Sequence, residues 1–144
     1  MATAKVKDVA AYILKKLGPL TAMKLHKLLY YSQAWSLVWE DEPLFSETIE
    51  AWANGPVIPE LYQHHKGQFQ LSEWPGGKPE NLTETQRETI DAVLEFYGDK
   101  KSMWLSELTH KEQPWKDARK GLLPLERGNE EISWAAMAEY YGSL

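Results

Sequence analysis

The sequence predicts a mainly α protein, a compact single-domain helical fold over residues 1–144 with a small β-hairpin or short antiparallel sheet. Three observations predict it. Apolar residues recur at helical spacing in several separate segments, and those segments open at Thr or Ser caps or close at Gly and Pro. Only the stretch from Leu44 to Trp52 mixes β-branched and aromatic residues without a helical period. The length of 144 residues suits one hydrophobic core, and no internal repeat or low-complexity tract divides it.

The first segment places Val6, Val9, Ala10, Ile13, Leu14 and Leu17 on one helical face, and Gly18-Pro19 ends it. Thr21 is a fitting N-cap for a long second helix reaching about Trp39. That helix is apolar on nearly every side, so it is expected at the centre, with Tyr30, Tyr31 and Trp35 in the core. Lys24 and Lys27 read as a solvated edge. Pro43 stops the helix, and one or two short strands are expected between Leu44 and Trp52. Asn54-Gly55-Pro56 reads as a turn, followed by a helix from Val57 to about His65, entered through a proline and stopped by Gly67.

A strand around Phe69–Leu71 and a loop through Pro75–Pro79 come next. Thr83 and Gln86 form a capping box for a helix whose inner face is Ile90, Val93, Leu94 and Tyr97. A short helix from Ser102 to Thr109 is expected to bury Trp104, Leu105 and Leu108. A helical turn after Pro114-Trp115 reaches Arg119. Residues 122–129 form a loop, and Glu130-Glu131 lie near the start of a last helix, where they suit its dipole. Ser133 caps that helix, which runs from Trp134 to Tyr141 with Trp134, Met137, Ala138 and Tyr141 on one side.

Composition narrows the function. A formal charge of −5, with basic residues scattered in pairs, argues against a surface built for nucleic-acid phosphates, which needs clustered Lys and Arg. An acidic protein instead suits a basic protein partner. Without cysteine there is no disulfide, thiol nucleophile or Cys-type zinc site. The N-terminal residues show no secretory pattern and no run reaches membrane-spanning length, so a cytoplasmic protein is expected. The histidines His26, His64, His65 and His110 lack a metal-ligand spacing. Neither a nucleophile elbow, a phosphate-binding Gly loop nor a dinucleotide fingerprint is present. The expectation is a protein with no cofactor, no metal and no catalytic set.

Three motifs remain: Lys24-Leu25-His26-Lys27-Leu28-Leu29-Tyr30-Tyr31, Ala51-Trp52-Ala53-Asn54-Gly55-Pro56-Val57 and Thr109-His110-Lys111-Glu112-Gln113-Pro114-Trp115. In this order and spacing they resemble the Panacea domain, a SocA-like, phage-associated family known mainly as the antitoxin half of toxin–antitoxin pairs. His26 departs from the pattern, where a Gln is common. The resemblance implies neutralisation of a cognate protein toxin, encoded nearby, by direct binding, as a toxin–antitoxin hetero-oligomer or with homo-oligomerisation. It also implies a chain that ends where such a domain ends, without an appended DNA-binding module.

Turns on a rigid scaffold often carry recognition, and Trp is enriched among binding hot spots. The candidate partner-binding residues are therefore Asn54, Gly55, Pro56, His110 and Trp115. Each also has an architectural reading, Gly55 and Pro56 as a strand-to-helix connection, His110 and Trp115 as packing. Two rival functions are a hydrolase using His110 with Glu107 or Glu112, and a DNA-binding regulator of a phage or mobile element.

Overall fold

The computed structural model of the protein describes residues 3–144. Helix α1 spans Val6–Leu17, strand β1 Leu20–Thr21 and helix α2 Ala22–Trp39. Strands β2, Glu50–Trp52, and β3, Gly55–Val57, precede helix α3, Pro59–His65, and strand β4, Gln70–Leu71. A 3-10 turn at Pro79–Asn81 leads to helices α4, Glu84–Tyr97, α5, Ser102–Lys111, α6, Gln113–Ala118, and α7, Trp134–Gly142. The β content is two separate antiparallel pairs, β1 with β4 and β2 with β3. No helix among the described residues is long and apolar enough to cross a membrane.

Helix α2 lies at the centre, packed against α1, α4, α5, α7 and β3. Its Leu25, Leu28, Leu29, Tyr30, Tyr31 and Ala34 are completely buried, which is why a helix without a polar stripe is stable here. Thr21 caps it by accepting from the Lys24 amide at 3.1 Å. The Thr83–Gln86 capping box of α4 closes in both directions, and Ser133 caps α7. Gly18, at φ 80°, ends α1 in a conformation disfavoured for other residues. The N-terminus of α1 receives a distant cap, with the Val6 amide donating to Glu47 at 3.2 Å.

Several expectations need correction. The hairpin turn is Ala53-Asn54, and Gly55-Pro56 continue as strand β3, with Trp52 opposite Gly55 and Ala51 opposite Pro56. Proline fits because a two-stranded ladder leaves one edge that needs no N–H donor. Helix α5 extends beyond the expected end at Thr109 to Lys111, and Glu112, at φ −93° and ψ 144°, breaks the helix before α6 opens at Gln113 with Pro114 in its first turn. Lys27 is no solvated edge; it is only 1% exposed. Trp104 and Trp134 are exposed rather than core, because short helices pack through a single narrow stripe, and Trp35, near the end of α2, is half-buried. Glu130 and Glu131 lie in a segment that pairs with β2, with Glu131 opposite Glu50, Ala51 donating to Glu130 and Ile132 to Ile49, each at 2.8 Å.

Candidate functional site

The three motifs converge on one side of α2. The stem of Lys27 runs beneath Gly55, where a Cβ would lie 3.1 Å from Lys27 Cε and 3.6 Å from Thr109 Oγ1. Gly55 also holds φ 129°, so both space and backbone conformation demand glycine there. Along the hairpin, backbone carbonyls are gripped one after another. The Ala51 carbonyl accepts from Arg119 Nη1 at 3.1 Å, Trp52 from the Trp115 indole at 2.9 Å, and Asn54 from the Ser106 hydroxyl at 3.3 Å. The His110 ring stacks on Trp115 at 4.1 Å, and the Arg119 guanidinium sits 5.2 Å from the centre of the Trp115 ring. Arg119 Nη2 is satisfied by the carbonyls of Leu123 and Glu126.

Charge in this cluster is one-signed. Burial lowers the Lys27 pKa to about 8. Burial, then the positive charges of Lys27 and Arg119, push His110 below the ordinary histidine value, leaving its imidazole neutral at pH 7. His110 Nε2 is buried and has no hydrogen-bond partner.

A second polar centre lies on the opposite flank of the same junction. The Glu112 carboxylate accepts from Tyr31 at 2.6 Å and from Tyr141 at 2.7 Å. The Tyr141 and Tyr30 hydroxyls are 3.0 Å apart, and with the Tyr141 hydrogen on Glu112, Tyr30 is the donor to Tyr141. Tyr97 stacks on Tyr31 at 4.2 Å and accepts from the Trp35 indole at 3.1 Å. Burial raises the pKa of every member, tyrosines and Glu112 alike, while the two tyrosine hydrogen bonds partly hold Glu112 down.

A third centre joins His26 Nε2 to His65 Nε2 at 2.7 Å. His26 Nδ1 accepts from the Ile58 amide at 3.1 Å, so His26 carries its hydrogen on Nε2 and donates to His65. Burial first, then its positive neighbours, lower His26 to about 3. This pair has no third ligand: among the described residues no group of three or more His, Cys, Asp or Glu gathers as a metal site would need.

A sequence model of the antitoxin SocA-like family, Panacea domain, matches residues 25–116. The chain belongs to that family. The match runs from the second residue of the first motif past the last residue of the third, so it takes in the hairpin, α5 and most of α2 and α6, and stops short of Arg119. An antitoxin role in general terms follows from membership. No curated protein and no solved structure matches the chain.

The five residues singled out from this Panacea-domain sequence occupy one neighbourhood but differ in access. Asn54 is exposed at the hairpin tip, His110 is half-buried, and Gly55, Pro56 and Trp115 are buried. The hydrolase pairing is not formed: Glu112 is engaged by Tyr31 and Tyr141, Glu107 points into solvent, and His110 Nε2 bonds to nothing. Sequence reasoning missed Lys27, Thr109 and Arg119, and named Glu112 only as a hydrolase partner of His110. These are polar residues in or beside the motifs, which patterning by hydrophobicity assigns to solvent.

Proposed function

We propose that this protein neutralises a cognate protein toxin by direct binding in the cytoplasm, without catalysis, forming a toxin–antitoxin hetero-oligomer with the product of an adjacent gene. The contact face is the hairpin tip, with Asn54, Gly55 and Pro56, bordered by the His110–Trp115 stack. The observation that supports it most is an open cleft of about 650 Å3 beside that tip, lined in part by Met23, Trp52, Asn54, Val57 and Tyr62. Aromatic and methionine walls around a rigidly held turn are the ingredients of an interface hot spot. The acidic balance of the chain, −5, favours encounter with a basic toxin.

The test is rescue of growth against the adjacent toxin, with binding and melting measured on each variant. Asn54→Ala removes an exposed side chain and leaves the carbonyl that Ser106 holds, so its melting temperature stays close to the parent's. Its affinity, and that of His110→Ala, falls by about ten-fold or more, roughly 1–2 kcal/mol. Folded variants that rescue fully would leave the hairpin and the stack as architecture alone.

A further inference from the structure

Lys27 is the least expected residue in the molecule. Its side chain is 1% exposed, yet both ion pairs among the described residues lie elsewhere, Lys16 with Asp91 and Lys100 with Asp99. An ammonium removed from water without a counter-ion opposes folding. Beside it, His110 Nε2 is buried and unpartnered, and the Arg119 guanidinium already serves backbone carbonyls. The nearest buried carboxylate on the same junction, Glu112, is held by two tyrosines. A chain with 21 acidic residues has placed none of them against this ammonium.

We propose that Lys27 and His110 form a receptor for one carboxylate, an Asp or Glu side chain of a bound protein that enters beside the β2–β3 hairpin. A carboxylate offers two acceptor oxygens, one for the ammonium and one for the neutral imidazole in its Nε2–H tautomer. The missing Cβ of Gly55 makes room for the end of the Lys27 side chain, whose Cε and Nζ lie 3.1 and 3.6 Å from where that Cβ would sit, with Thr109 Oγ1 3.6 Å from the same spot. Met23, one helical turn before Lys27, and Asn54 and Val57, which flank Gly55 and Pro56, line the 650 Å3 cleft, so the receptor borders the face assigned to the toxin. This inference rests on the toxin reading for its partner, but the receptor itself is a property of the free chain. A nucleic-acid phosphate is the rival anion. A single recessed ammonium in a protein of charge −5 lacks the row of cations that a phosphate backbone needs.

Acetate is the probe for the receptor, followed through the imidazole nitrogen signals of His110. The expected result is a saturable shift in the parent protein that is lost in Lys27→Met, whose melting curve shows it folded. No shift, an equal shift in Lys27→Met, or a stronger response to inorganic phosphate than to acetate would overturn the proposal. The second arm measures binding of the adjacent-gene toxin. Lys27→Met loses about ten-fold or more, and one acidic toxin residue, changed to its amide, loses as much in the parent and nothing further in Lys27→Met. Equal binding by parent and Lys27→Met, or no acidic toxin residue coupled to Lys27, also overturns it. A parent protein that responds to acetate but ignores the toxin refutes the toxin reading and keeps the receptor.

Discussion

Helix α2 carries two buried polar centres that meet the same α5–α6 junction, one closed and one open. Around Glu112, the hydroxyls of Tyr31 and Tyr141 end on a carboxylate and Tyr30 ends on Tyr141. Around Lys27, one turn earlier on the helix, the ammonium has no acidic partner among the described residues and His110 Nε2 has no hydrogen bond. The closed network satisfies its own polar groups and so fixes α2, α6 and α7 relative to one another. The open one holds an ammonium out of water without a counter-ion, which opposes folding. Unfavourable features held in place by their surroundings concentrate where binding occurs. On the proposed reading the contrast sorts the motifs: Tyr30, Tyr31 and Glu112 belong to the scaffold, while Lys27, Gly55 and His110 are assigned to the contact.

The largest effect is expected from breaking the closed centre. Glu112→Ala strands the hydroxyls of Tyr31 and Tyr141 and leaves a void, and should cost about 3–4 kcal/mol in urea denaturation. A near-neutral Glu112→Ala would remove the distinction between the centres.

Lys27→Met should act in the opposite direction, stabilising the free protein by about 2–3 kcal/mol at pH 7. Its sign with pH is specific. The folded-state value of about 8 lies below the ordinary 10.5, so between these the unfolded chain holds more protons and the parent gains stability as pH rises. The advantage of Lys27→Met is full at pH 7 and narrows from pH 8 toward 10. Denaturation midpoints of both proteins across that range check it, and a constant or widening gap would mean that Lys27 has a hidden partner.

The smallest effects belong outside both centres. Trp104 and Trp134 are 41% and 44% exposed, so Trp104→Ala and Trp134→Ala should each cost no more than about 1 kcal/mol by thermal melting. A loss as large as that of Glu112→Ala would mean that these rings support the closed network from outside.

Much of the scaffold was legible in the sequence. The caps Thr21, Thr83 and Ser133 and the Gly18 stop marked helix ends, and the 3.6-residue spacing of Ile90, Val93, Leu94 and Tyr97 gave the buried face of α4. What escaped depends on partners far away in the chain. Strands β1 and β4 are two residues each, too short to show alternation, and exist because Leu20 meets Leu71. Lys27 is buried because a glycine 28 positions later (55 − 27) brings backbone over its stem. The tryptophans on α5 and α7 shared a helical stripe with buried neighbours, but only the packing of the neighbouring helices decides how wide the covered stripe is. The site was located by its motifs, whereas the roles within it came from geometry: of the five candidates only Asn54 is exposed.

The closed network also sets an order of events during synthesis. Tyr141 bonds to Tyr30 and Glu112, which precede it by 111 and 29 residues. Chains grow at about 5–20 residues per second, so for seconds after Glu112 is made its carboxylate has at most one of its two tyrosine donors. A nascent or prematurely terminated chain lacking α7 has every motif of the contact face and no finished support beneath it. Local opening is easiest where such bonds are missing, so the network around Glu112 closes only once the last helix has been made.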